Sequence, residues 1–264
     1  MMRRIIVPII ALVTLLLTAL PAAAVTDGQP DGTEHPYVGL AVFYDEDGNP
    51  THRCSGTLIS AIVFLTAGHC TYQTAYAQVW FDPEVVRSTD GETGYPYTGG
   101  ILGEVETHSG YDDFATFPNT SDLGLIYLER RVRLSEYGAI ASLGTLDSLA
   151  TKRGQQEVTF TVVGYGLQAV KPKLMQDTVR YQGIVQLVNL GSALTDGYNL
   201  HHTNAKGTGG GTCFGDSGGP VFLGDTNVIV AVTSFGLNQN CAGAGFAYRT
   251  DIQNAHDFIY GDED

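Results

Sequence analysis

A hydroxyl flanked by glycines stands at Ser217, in Gly215-Asp216-Ser217-Gly218-Gly219-Pro220. Serine is a poor nucleophile until a base takes its proton. The tetrahedral oxyanion formed by its attack on a carbonyl then needs backbone N–H donors that glycines leave unobstructed. The spacing Gly215-x-Ser217-x-Gly219 also fits a sharp strand-to-helix turn, which requires a helix after the serine and its acid and base further along the chain. Here Pro220 leads into the strand-like Val221-Phe222-Leu223, and the only later histidine is His256. That arrangement fails. An upstream base exists at His69, in Leu65-Thr66-Ala67-Gly68-His69-Cys70, and Asp122 lies between, in Ser121-Asp122-Leu123-Gly124-Leu125. An acid just ahead of a buried-looking strand can be shielded from water, so base, acid and nucleophile are available in that order for acyl transfer. Asp112 and Asp113, in a turn-like segment, are rival acids. His35, His52, His108, His201, His202 and His256 read as surface or satisfied core residues.

The elements that must hold these groups are strands. Tyr37–Tyr44, Leu58–Thr66, Ala77–Phe81, Leu123–Leu128, Glu157–Val163, Val179–Leu187 and Val228–Phe235 are short, rich in β-branched and aromatic residues, and bounded by turn formers. One helix is expected, capped by Asp251 and running to Tyr260, with Ile252, Ala255, Phe258 and Ile259 on one face. Many short strands with 33 glycines indicate an all-β barrel or sandwich architecture. The polar stretch Leu146–Gln156 divides the strands into two nearly equal sets, so two small barrels are the leading arrangement.

Residues 1–24 read as an export signal: Arg3 and Arg4, an apolar run from Ile5 to Leu20, then Ala22-Ala23-Ala24 as a cleavage site. The expected product is a secreted chain in an oxidising compartment, with no membrane attachment after cleavage. With 14 basic and 28 acidic side chains the net charge is −14, and no basic run offers a footprint for nucleic acid. Hydrophobic residues make up 43% and charged residues 16%, enough to bury a core and too apolar for a disordered chain.

With these motifs the sequence resembles the chymotrypsin-like (trypsin-fold) serine endopeptidases, in particular bacterial secreted members. The resemblance covers essentially all of Val25–Tyr260. It implies two six-stranded antiparallel β-barrels packed side by side with a short C-terminal helix, the first over 25–148 and the second over 149–264. It implies that His69 acts as general base and then acid, that Asp122 orients the imidazole, and that Ser217 attacks the scissile carbonyl. Gly215 and Ser217 would supply the oxyanion-hole amides. Ser234-Phe235-Gly236 would pair with a bound peptide backbone, Phe235 standing where the family usually has Trp, and Tyr165 in Gly164-Tyr165-Gly166 replaces another Trp.

The four cysteines allow three pairings, of which the resemblance selects Cys54–Cys70 and Cys213–Cys241. A Cys₄ zinc site would lack close C-x-x-C pairs. Asp82, Glu84, Asp90 and Glu92 lie where some relatives hold calcium, but scattered loop carboxylates read as solvated, and no metal or cofactor is assigned. In the family a freed aliphatic amino terminus folds inward onto the acid before the nucleophile. Cleavage after Ala24 would expose Val25, whose partner would be Asp216. Six positions before Ser217, Gly211 marks the expected pocket floor, so the carboxylate that selects basic residues is missing and an uncharged P1 side chain is expected. Phe246, near a position usually held by glycine, could narrow that pocket. The expected partner is a protein or peptide substrate, acted on by a monomer. A catalytically weak or inactive binding module on the same fold is the alternative.

Overall fold

The computed structural model describes residues 25–149, 158–205 and 209–261. The expected leader over 1–24 and residues 150–156 of the polar divider therefore lie outside the described residues. The first barrel is built from β2 (Val38–Tyr44), β3 (Pro50–Leu58), β4 (Val63–Thr66), β5 (Tyr76–Trp80), β6 (Ile101–Thr107) and β7 (Gly124–Leu128), following a two-residue strand β1 (Gln29–Pro30). It closes in the order β2-β3-β4-β7-β6-β5, all antiparallel. After the short β8 (Ala139–Ile140), the second barrel uses β9 (Thr159–Gly164), β10 (Tyr181–Asn189), β11 (Asn199–Asn204), β12 (Pro220–Leu223), β13 (Val228–Gly236) and β14 (Gly243–Arg249). Its path β10-β11-β14-β13-β12-β9 is closed by pairing of β9 with β10. Two closed antiparallel barrels of six strands result, as the strand pattern and the resemblance lead one to expect. Closure removes the unpaired edges that make isolated sheets prone to association.

The apolar alternation explains why β2 sits at the centre. Ala41 and Phe43 point into the cluster shared by both barrels, while Leu40, Val42 and Tyr44 point the other way, onto Trp80, Tyr95 and Tyr165. Side chains two apart share a face, so one strand fills two cores. Each large apolar side chain buried this way contributes roughly 1.5–3 kcal/mol.

Two expectations need correcting in detail. Leu58–Thr66 is not one strand: β3 ends at Leu58, the Ser60 hydroxyl accepts from the Val63 N–H at 3.1 Å, and β4 returns antiparallel. The terminal helix α2 covers Gln253–Tyr260 and has no side-chain cap. Asp251 is engaged elsewhere, accepting from the Leu146 N–H at 2.6 Å and from Arg249 Nε at 2.8 Å.

The first and last described elements cross over between the barrels. β1 pairs with β10 of the second barrel, whereas α2 packs on the first, where the His108 ring meets Phe258. Arg180 ties the opening segment down. Its guanidinium is 1% exposed and donates to Asp31 Oδ2 at 2.7 Å, to Gly32 O at 2.7 Å, to Val38 O at 3.0 Å and to Phe81 O at 3.1 Å. Burial pushes the Asp31 carboxyl up, but hydrogen bonds and charge from His35 and Arg180 outweigh it and hold it below the usual range. Replacing Asp31 by alanine leaves Arg180 buried without its counterion, and the expected loss is about 3–5 kcal/mol. Urea unfolding of Asp31→Ala beside the parent checks this through the transition midpoint.

Candidate active site

His69 lies in α1 (Gly68–Thr71), a single turn held at the end of β4. Asp122 lies two residues before the start of β7, whose first residue pairs with Thr66 of β4. That register brings base and acid side by side. The Asp122 side chain is fully buried and the His69 ring 23% exposed, with Nδ1 at 2.9 Å from Oδ2 and 3.1 Å from Oδ1. The His69 backbone N–H also donates to Oδ1 at 2.7 Å, and the Ser234 hydroxyl donates to Oδ2. Burial pushes the imidazole down, yet the charge and hydrogen bond of Asp122 prevail and raise its pKa above the ordinary value. Burial raises Asp122 in turn, and the His69 charge with the donated bonds from His69 and Ser234 brings it below the usual carboxylate range. Asp112 takes no part; it accepts from the Thr116 backbone and hydroxyl in its own turn.

Ser217 reaches this pair from the second barrel. Its carbonyl accepts from Ser55 N–H at 2.8 Å, and the buried Ser55 hydroxyl donates to Gly215 O at 2.8 Å while accepting from Tyr165 N–H at 2.9 Å. Strand β3 of the first barrel is thereby bonded across to the serine loop. Gly218 has φ 78°, and a Cβ there would lie 2.0 Å from Thr66 Oγ1, so only glycine lets the loop pass so close. Ser217 and His69 line one cleft of about 610 Å³ between the barrels. Among the described residues no hydrogen bond joins Ser217 Oγ to the ring, a contact that in unliganded sites often tightens only with substrate. Neither the Gly215 nor the Ser217 N–H has a backbone partner among the described residues, and both residues face the cleft. They are two free donors beside the hydroxyl.

Asp216, fully buried, accepts from Gly166 N–H at 2.8 Å and Cys213 N–H at 2.9 Å. Burial outweighs these bonds and the charge of Arg53, and its pKa is pushed up to about 7. Val25 is fully buried over Gly183, and the Thr26 N–H donates to Gly211 O at 2.8 Å, so this segment docks on the stretch leading to Asp216. The disulfides Cys54–Cys70 and Cys213–Cys241 form. One braces the histidine turn and the other the serine loop against the far wall, each worth roughly 3 kcal/mol in the chain-entropy account.

Ser234, Phe235 and Gly236 line the cleft; Gly211 does not, and lies beside the lining residue Asn204. Phe246 does not line it. The ring is fully buried behind Phe235, stacked at 4.7 Å, and it is Gly245 that pairs with Gly236 in the β13–β14 register. Phe114, Arg53 and Asn204 also line the cleft and escaped the sequence reading. A polar residue at a strand end carries no local mark of the cavity it will face.

The profile of the family described as Trypsin matches residues 28–259. The chain belongs to the trypsin family. Trypsin alpha of Drosophila melanogaster is 27% identical over 202 residues, covering 74% of this chain and 72% of that protein. Chymotrypsin-C of Bos taurus is 28% identical over 209 residues, covering 76% and 74% respectively. Among solved structures, a collagenase superposes with a TM-score of 0.67 at 19% identity, covering 89% of this chain and 96% of its own, and human heparin binding protein with 0.62 at 21%, covering 89% and 95%. At such identities the structural likeness speaks for the fold. As a trypsin-family member with relatives named as proteases, the protein is a serine endopeptidase.

The raised pKa of His69 depends on its acid partner. In the trypsin-family site NMR titration is expected to place the imidazole midpoint above 6.5, and Asp122→Asn to lower it below 6.5, since burial then acts unopposed. An unchanged midpoint in the variant would show that Asp122 does not control the ring.

Proposed function

We propose that this protease is exported and cleaves peptide bonds through His69, Asp122 and Ser217. The observation that carries the reading is the imidazole bonded to a buried carboxylate in the same cleft as a serine flanked by two free amides. His69 Nε2 takes the Ser217 hydroxyl proton as the oxygen attacks the scissile carbonyl, and the oxyanion is received by the Gly215 and Ser217 N–H groups. The proton passes to the leaving amine, an acyl-enzyme remains, and water repeats the sequence to release it. Ser234-Phe235-Gly236 at the end of β13 supplies the backbone edge for the substrate. The substrate is a protein or peptide with an uncharged P1 side chain, since no carboxylate is among the described residues lining the cleft. The protein acts as a monomer, without nucleic acid, metal or cofactor, and after removal of residues 1–24 without a membrane.

The same reading assigns Val25 as the activating terminus. With residue 24 attached, Val25 has φ 55°, a region that β-branched side chains avoid. Cleavage removes that torsion and leaves an ammonium group to pair with Asp216, a carboxylate whose raised pKa marks it as short of a cation. The sign follows from proton counting. In the uncut chain the folded state holds the Asp216 proton more tightly, so stability falls as pH rises from about 4 to 7. Pairing with the amine abolishes that fall. Adding one residue before Val25 is expected to remove activity and restore the pH-dependent loss of stability; full turnover by the extended form refutes this assignment.

Because the triad works as a unit, Ser217→Ala, His69→Ala and the double variant are expected to lose kcat/KM by similar factors. Independent, multiplying losses would break the shared mechanism. Below the raised pKa of His69 the base is protonated, so kcat/KM is expected to fall with decreasing pH through a midpoint above 6.5. A fluorophosphonate that labels the parent and not Ser217→Ala identifies the nucleophile, whereas a chain that never labels is a binding module on a protease fold.

A further inference from the structure

The floor of the cleft is not formed by the side chain at its expected position. Gly211 has none, and a Cβ built on it would lie 1.7 Å from Asn204 Oδ1, so the Asn204 carboxamide occupies that volume. Asn204 ends β11, is 3% exposed, and lines the cleft. Its Nδ2 donates to Thr212 O at 2.9 Å, which fixes the orientation of the amide. Oδ1 is then buried with no hydrogen-bond partner. A buried acceptor left unpaired keeps its desolvation penalty, which is relieved when a donor arrives.

The surroundings state what kind of donor fits. Two residues earlier on the same strand face, His202 gives its Nδ1 to Thr203 O at 2.8 Å and leaves Nε2 buried and unpartnered. Burial pushes the His202 ring down to about 4, so it stays neutral. The described lining holds no carboxylate, and a cationic side chain would enter without a counter-ion. A carboxamide would bring a carbonyl needing a donor of its own as well as its N–H groups, whereas a phenol brings a single hydroxyl to a single acceptor. The walls admit a flat group. Gly236 presents bare backbone, with nothing nearer than 3.9 Å to a Cβ placed there, and Phe246 is turned behind Phe235.

We infer that Asn204 is the specificity-determining residue of this pocket, its Oδ1 accepting the phenolic hydroxyl of a P1 tyrosine. The inference rests on the endopeptidase reading of the cleft and adds the substrate class. A site built to accept a hydroxyl discriminates against the analogue that lacks it, because the buried acceptor then stays unpaired. Tyrosine and phenylalanine differ by that hydroxyl alone.

The test is kcat/KM on peptides identical except at P1, carrying Tyr, Phe, Gln or Lys, with the mature enzyme. Tyrosine is expected to exceed phenylalanine by about tenfold or more, and glutamine and lysine by more than that. In Asn204→Leu, similar in volume and without an acceptor, the Tyr-to-Phe ratio is expected to fall to about one. A ratio near one in the parent, or the parent ratio retained in Asn204→Leu, overturns the assignment. The parent ratio needs no variant, so a poorly folding Asn204→Leu does not shield the inference. Fluorophosphonate labelling separates the two levels: labelled enzyme without tyrosine preference refutes Asn204 alone, and absence of labelling refutes the endopeptidase reading and this inference with it.

Discussion

A carboxylate at zero exposure is the constraint around which the rest is arranged. Asp122 retains its charge in the interior because three groups donate to it: the backbone and ring of His69 from the first barrel, and the Ser234 hydroxyl from β13 of the second. Removed from water without them, it would bind a proton instead. Its donors come from sites 53 and 112 residues away in sequence, so the charge is tolerated only where both barrels have closed and met. The electrostatics of the base and the docking of the barrels are thus one problem with one solution.

Ser55 performs the corresponding task for the nucleophile. It is fully buried in β3, yet its backbone and hydroxyl reach three points around the serine loop and the start of the segment after β9. A side chain that small satisfies a donor and an acceptor at once, and its own carbonyl is taken by Thr66 beside the histidine turn at 2.8 Å. Histidine turn, serine loop and barrel interface therefore share a continuous set of hydrogen bonds rather than standing on separate loops. Arg180 secures the opposite end of the contact, its charge answered by Asp31 and by carbonyls from three other positions.

What could be read from the sequence was what is decided locally. β2, β5, β7 and β13 carry dense apolar or β-branched residues, and the motifs around His69 and Ser217 are short, glycine-punctuated and contiguous. β3, β6, β11 and β14 were not read. Pro50–Leu58 and Asn199–Asn204 are mostly polar, Ile101–Thr107 has three of its seven residues exposed with the apolar Leu102 on the outer face, and Gly243–Arg249 opens with two glycines in three positions. These become strands because their neighbours offer ladders to complete, which is a tertiary influence over weak local preference. The helix start was misplaced for a similar reason: Asp251 is a good cap by type, but Arg249 and the Leu146 amide compete for it and win. Asn204 was invisible altogether, since nothing in its own neighbourhood records that Gly211 will lie directly beneath its oxygen.

The exchange of the first and last described elements between the barrels bears on how the molecule is made. Synthesis delivers β1 ahead of the first barrel and its partner β10 about 150 residues later, while the helix that covers the first barrel appears after the whole second barrel. Each barrel closes from its own stretch of chain, but each is also covered by a segment from the other side. Base and acid precede the second barrel and the nucleophile lies within it, so the three groups are held together only after the chain has passed β13, whose Ser234 bonds Asp122.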